Sequence, residues 1–114
     1  MQIPDDLEFL DVLGVAPEQT EEDQDIWRVD VPIDDSNIVT LSFDVGARSV
    51  RLAKGPEAEP EVDIYRERVE RILLYSRNGE RGIIVECDVP GFRCELRVVI
   101  SPAFRLTDPM LYVG

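Results

Sequence analysis

Apolar and polar residues alternate with a period of two over much of the chain, and most clearly between Gly82 and Pro102. Ile83, Val85, Cys87 and Val89 form one apolar row, and Phe92, Cys94, Leu96, Val98 and Ile100 form a second. Each half therefore reads as a strand with one buried face. Pro90-Gly91 lies between them as a turn signal. An even loop pairs Cys87 with Cys94, Val85 with Leu96 and Ile83 with Val98. An odd loop would mix wet and dry faces, so the even register is expected. Pro-Gly favours a type II turn, whose twist suits a two-residue hairpin poorly, so a four-residue loop Val89–Phe92 is preferred. On the wet face, Asp88 falls opposite Arg93 and Glu86 opposite Glu95, with arginines as diagonal neighbours.

The same alternation marks two earlier segments. In 26–33, Trp27, Val29, Val31 and Ile33 face inward, and Pro32 suggests an edge strand or a strand end. In 38–54, Val39, Leu41, Phe43 and Val45 face inward, followed by Val50 and Leu52. Gly46-Ala47 fits a two-residue type II′ turn that pairs Phe43 with Val50 and Leu41 with Leu52. Asp34-Asp35-Ser36-Asn37 is a turn between these segments.

Helical signals are fewer. Residues 4–14 read as a short helix capped by Asp5, with Glu8 in the capping-box position and Gly14 as the terminating glycine. Leu7, Leu10 and Leu13 give its apolar spacing. Residues 62–77 admit two readings. Val62, Tyr65, Val69, Ile72 and Leu73 fall on one helical stripe, and Glu67 and Arg71 are an i,i+4 pair. Against this, Asn78-Gly79 is a strong hairpin dipeptide, and a strand from about Val69 to Arg77 would pair Leu74 with Ile83, Ile72 with Val85 and Arg71 with Glu86. The stripe favours a helix over 62–71, with extended chain after it.

Two stretches read as connectors, the acidic 15–25 and the Pro- and Glu-rich 55–61, the latter linking two halves of one domain. Phe104, Leu106, Met110, Leu111 and Tyr112 are expected to pack across the sheet, with a turn at Asp108-Pro109. The expected fold is α+β: an antiparallel sheet of five to six strands with one or two helices, one of them covering the buried face. A mostly-β fold is the alternative. The 114 residues are read as a single domain, 1–114.

Charge changes the picture more than composition does. Residues 1–61 hold 16 acids and 4 bases, a balance of −12, whereas residues 62–114 hold 8 of each, so the first half carries the whole net charge of −12. Nine acids precede the first base, Arg28. Such a field repels nucleic acid and membrane phosphates and attracts basic partners. No apolar run approaches the length of a membrane span, and the N-terminus lacks the basic and apolar regions of a signal peptide. Residence in the cytoplasm is expected, with the two cysteines as thiols.

Chemistry-bearing constellations are sparse. The chain contains no histidine, the commonest general base and transition-metal ligand. Ser42, Ser76 and Ser101 have no such partner, the acidic runs lack the spacing of a calcium loop, and no glycine loop cradles phosphate. Cys87 and Cys94 face each other on the dry side, where packing as small hydrophobes outweighs a redox role. Neither catalysis nor a metal or cofactor is expected. The candidate partner-binding residues are Glu18, Glu21, Glu22, Asp23, Asp25, Asp34 and Asp35. The expected function is that of a small acidic partner-binding protein, of the kind represented by immunity-type inhibitors of a basic toxin or nuclease or by acidic mimics of nucleic acid. A small-molecule-binding or enzymatic domain, with a pocket between sheet and helix, is the alternative.

Overall fold

The computed structural model describes residues 1–107 apart from Glu57, Pro90 and Gly91, with Val89, Phe92 and Arg93 described by backbone alone. Among the described residues, one helix and nine strands form two antiparallel sheets. Helix α1 is Asp6–Leu13. The first sheet runs in chain order through β1 (Glu18–Gln19), β2 (Ile26–Pro32), β3 (Ile38–Asp44), β4 (Ser49–Gly55) and β5 (Val62–Arg66). The second runs through β6 (Val69–Arg77), β7 (Glu80–Val89), β8 (Phe92–Ser101) and β9 (Arg105–Thr107).

The alternating apolar rows of both sheets meet in one cluster. Val29, Val31, Val39, Leu41, Phe43, Val50 and Leu52 come from the first sheet, and Val69, Ile72, Ile83, Val85, Cys87, Cys94, Leu96, Val98 and Ile100 from the second. A second sheet, not a helix, therefore covers the buried face of the first. Hydrophobic burial fixes the register, because a one-residue slip would expose every member of a row. Leu41 pairs with Leu52 and Phe43 with Val50. Ile83 pairs with Val98, Val85 with Leu96 and Cys87 with Cys94, as the alternation predicts.

Segment 62–77 is two strands and not a helix. Leu74 pairs with Ile83, Ile72 with Val85 and Arg71 with Glu86 around the Asn78-Gly79 turn, where both turn residues take positive φ, 54° and 77°. The helical stripe comes from two irregularities. A β-bulge lies between Val69 and Arg71, and Arg68 takes a left-handed φ of 60° at the corner where the chain leaves one sheet for the other. Each inserts a residue into the two-residue period, so the inward positions around them fall three apart, as on a helix. The break between halves is at this corner. Residues 55–61 instead close the β4–β5 hairpin, with the Glu61 N–H donating to the Lys54 carbonyl at 2.9 Å.

Local turn chemistry departs from expectation in two places. The Asp44 carboxylate accepts from the Gly46 and Ala47 N–H groups at 3.0 and 2.9 Å, and Arg48 adopts φ 56°. The β3–β4 connection is therefore four residues, Val45–Arg48, which leaves Val45 38% exposed and not facing inward. Conversely, pairing on β7–β8 continues to Val89 with Phe92. Two residues, not four, then connect the strands; that turn, Pro90-Gly91, lies outside the described residues, as do Asp108-Pro109, Met110, Leu111 and Tyr112. Phe104 and Leu106 do pack against the core.

Helix α1 keeps its expected caps. Asp5 accepts from the Glu8 N–H at 2.8 Å, and Gly14, at φ 78°, donates to the Leu10 carbonyl. Its buried residues are Phe9 and Leu13, one turn apart, while Leu7 and Leu10 are exposed. Phe9 stacks on Phe43 with ring centroids 6.2 Å apart, and this aromatic contact sets the rotation of the helix.

Cys87 and Cys94 lie opposite each other as thiols, each 2% exposed. Burial of this kind slows thiol attack. Titration with a chromogenic disulfide should find few reactive groups in the native protein and two after denaturation. Rapid native labelling would place one of them in water.

Candidate partner-binding surface

The five acids Glu18, Glu21, Glu22, Asp23 and Asp25 belong to the β1–β2 hairpin. Glu18-Gln19, expected as part of a loop, form a two-residue strand that pairs with Arg28 and Trp27. Backbone and side-chain bonds order the connection. Thr20 Oγ1 donates to the Asp23 carbonyl at 2.9 Å, the Asp25 N–H donates to Asp23 Oδ1 at 2.8 Å, and the Thr20 N–H donates to the Ile26 carbonyl at 2.9 Å. Glu18, Glu21, Glu22, Asp23 and Asp25 are all exposed. Asp44 joins them, because the Val45 N–H donates to the Asp25 carbonyl at 3.0 Å. Sequence reasoning missed Asp44. Its signal was an aspartate at the first position of a turn.

Asp34 and Asp35 occupy the β2–β3 turn, at the opposite end of β2 from Asp25. Seven strand residues at about 3.4 Å each separate the two ends, so the structure does not bring the seven candidates together. Asp34 also has internal work. Its Oδ1 accepts from the Ser36 and Asn37 N–H groups, both at 2.9 Å. The Ser36 bond foremost, then the Asn37 side chain, holds its carboxyl below the ordinary value of 3.8. Asp34 is first a turn residue, whereas Asp35 is exposed.

Three of the four bases in residues 1–61 meet carboxylates on the first sheet, Arg28 and Arg51 on its outer face and Lys54 on its inner face, in register with Val39 and with its ammonium over the Phe104 ring. Arg28 Nε lies 2.9 Å from Asp30 Oδ1, which also accepts from Thr40 Oγ1. Arg51 makes two bonds to Asp63, at 2.8 and 2.6 Å, and Lys54 Nζ lies 2.9 Å from Glu61. Arg28, Arg51 and Lys54 line an open groove of about 390 Å³ floored by Thr40, Ser42 and Ala53. Because these cations face local acids, the negative excess gathers at the strand ends. On the second sheet the facing Glu86 and Glu95 are divided between two arginines, with Arg71 2.7 Å from Glu86 and Arg97 2.6 Å from Glu95. Arg105 pairs with Glu80. Ion pairing thus offsets the charge of both carboxylates, while the buried Glu86 Oε2 accepts no well-aligned hydrogen bond.

The space beneath the helix is filled by Phe9 and Leu13, 0% and 5% exposed. Among the described residues, no group of three or more cysteines and carboxylates is placed to hold a metal ion, and no helix is long and apolar enough to cross a membrane.

The Arg51–Asp63 pair has a testable signature. Its hydrogen bonds lower the Asp63 carboxyl from 3.8 and raise the guanidinium. A carboxyl lowered on folding adds stability that is complete above its unfolded value and lost as pH falls through its folded one. The urea-midpoint difference between wild type and Asp63→Asn should therefore be present near neutrality and shrink to nothing as pH drops below 3.8. A difference independent of pH would show that the charge pair contributes nothing. The effect is small, because solvent screens an exposed pair.

No family model matches this chain, and no curated protein sequence matches it. Among solved structures, a chain of the contact-dependent growth inhibition toxin–immunity protein complex from Klebsiella pneumoniae 342 has a similar fold, with a TM-score of 0.78 and 15% identity over 93% of each chain. At that identity the likeness is one of fold.

Proposed function

We propose that this chain is a small, non-catalytic partner-binding protein of immunity type, which neutralises a basic toxin by covering its working surface. The observation that carries this reading is the fold likeness, over 93% of both chains, to a member of a toxin–immunity complex. That complex contains two kinds of protein, and charge favours one of them. A net charge of −12 without histidine suits an inhibitor of a basic protein better than a toxin that handles phosphates or moves protons. The ordered, uncompensated carboxylates of the β1–β2 hairpin supply the field that speeds encounter with a cationic surface. A nuclease is the finer proposal, because a surface shaped for phosphates is complementary to an acidic one. Residence in the cytoplasm belongs to the same proposal and is favoured by the buried thiols.

The test is capture followed by growth. The full chain, immobilised, should retain a basic protein from a lysate of its source cells at low salt and release it as salt rises. That protein, expressed alone in a host lacking this chain, should arrest growth, and co-expression of the chain should restore it. Recovery of no basic protein at low or moderate salt would contradict the proposal. So would a captured protein whose toxicity the chain leaves unchanged.

A further inference from the structure

The acidic hairpin borders an apolar notch. Ile3, Pro4, Pro17, Trp27 and Val45 line a concavity of about 140 Å³ above Phe43. Val45 is 38% exposed there, pushed out of the core by the Asp44-capped turn. One carboxylate, Asp6, lines the notch. A second, Asp25, lies over Gly46 beside Val45, so close that a Cβ on Gly46 would fall 2.6 Å from its Oδ2. Leu7 and Leu10 add exposed apolar side chains on α1, whose first residue is Asp6. Every side chain before Arg28 is acidic or uncharged, so the segments that bring Ile3, Pro4, Pro17 and Trp27 to the notch carry no cationic side chain. An apolar centre with a charged rim is the anatomy of a protein–protein docking site, in which the centre holds the complex and the rim steers it.

We infer that this notch docks the protein partner, receiving an apolar side chain that arginine or lysine flanks on the partner's surface. The inference rests on the partner-binding reading above. The occupant's chemistry follows from complementarity. The notch floor offers only apolar contact, and Asp6 and Asp25 at its edge call for cations beside the inserted group. A purely polar basic segment would leave Trp27 and Val45 wet, and an uncharged apolar one would leave the carboxylates unmatched. Trp27 is the chain's only tryptophan and pairs in register with Gln19 and Phe43, so its single resonance reports on this end of the first sheet, and Val45→Gln tests the notch itself.

The experiment uses the full chain labelled with 5-fluorotryptophan and the basic protein recovered by capture. Binding should shift the single fluorine resonance of Trp27. Val45→Gln leaves net charge unchanged at an exposed position. It should speed dissociation roughly tenfold or more with an unaltered melting temperature, and leave the salt dependence of association as in wild type. A partner that binds with an unmoved Trp27 resonance, or with Val45→Gln dissociating at the wild-type rate, would overturn the notch while leaving the partner-binding reading standing. Failure to capture any basic protein would overturn both.

Discussion

Leu96→Ala is expected to lower the unfolding free energy by roughly 2–5 kcal/mol, the usual cost of a buried large-to-small change. Leu96 is 1% exposed and lies opposite Val85 in the β7–β8 ladder, within the cluster that joins both sheets. Removing its side chain deletes buried contact and leaves a cavity that flanking strands cannot close. Its neighbour Arg97 points the other way, with a side chain 57% exposed and paired to Glu95. Arg97→Ala should therefore stay within about 1 kcal/mol. Urea unfolding of both variants measures the contrast. Comparable losses would mean that the faces of β8 are wrongly assigned.

Gly82→Ala should be damaging for a different reason, costing about 3 kcal/mol as an overpacking strain. Gly82 pairs with Tyr75 on one side and Val99 on the other, beside a register shift at Arg81. A Cβ there would fall against the Val98 carbonyl oxygen and 2.6 Å from Tyr75 Oη. The tyrosine side chain can swing away, but the carbonyl belongs to the backbone of a paired strand. The double variant Gly82→Ala/Tyr75→Ser is therefore expected to recover little stability. Full recovery in the double variant would show that Tyr75 alone fills the space over this glycine.

These two positions illustrate what the sequence discloses and what it withholds. Wherever an apolar row has one dry face, burial dictates register, and the pairs Leu41–Leu52 and Cys87–Cys94 were legible outright, whereas Leu74–Ile83 was legible only in the strand reading that the helical stripe outweighed. The backbone irregularities were not. A bulge at Val69/Arg71 and a left-handed Arg68 cost the alternation its phase, and the resulting three-residue spacings imitate a helix. For the same reason the corner between the two sheets was invisible, and a single sheet under a helix was the natural reading. Helix caps were legible at Asp5 and Gly14 because capping is local. The helix's rotation was not, because Phe43, which stacks on Phe9, lies 34 residues away.

The candidate surface divides along the same line. That Glu18–Asp25 are solvated acids follows from their composition. That Asp34 spends its carboxylate on its own turn, at the far end of β2 from Asp25, depends on strand length and turn geometry. The cations of the first sheet, matched by Asp30, Asp63 and Glu61, likewise become visible only once that sheet is assembled. They explain why the uncompensated charge sits at the strand ends.

Association kinetics with the captured partner, at two ionic strengths, bear most sharply on whether that charge does the docking. One variant replaces Glu18, Glu21 and Glu22 with Gln and Asp23 with Asn, which keeps the acceptor that Asp23 offers the Asp25 N–H. The other replaces Glu67, Glu70, Glu80 and Glu95 with Gln, on the later half of the chain where Glu80 and Glu95 already face arginines. Rim charges act mainly on the association rate, and salt screens them over about 10 Å at 0.1 M. The first variant should associate more slowly than wild type at low salt, converge with it at high salt and dissociate at a similar rate. The second should stay close to wild type throughout. If the second variant proves the slower, the partner docks on the later half of the chain, and the acidic hairpin only keeps the protein in solution.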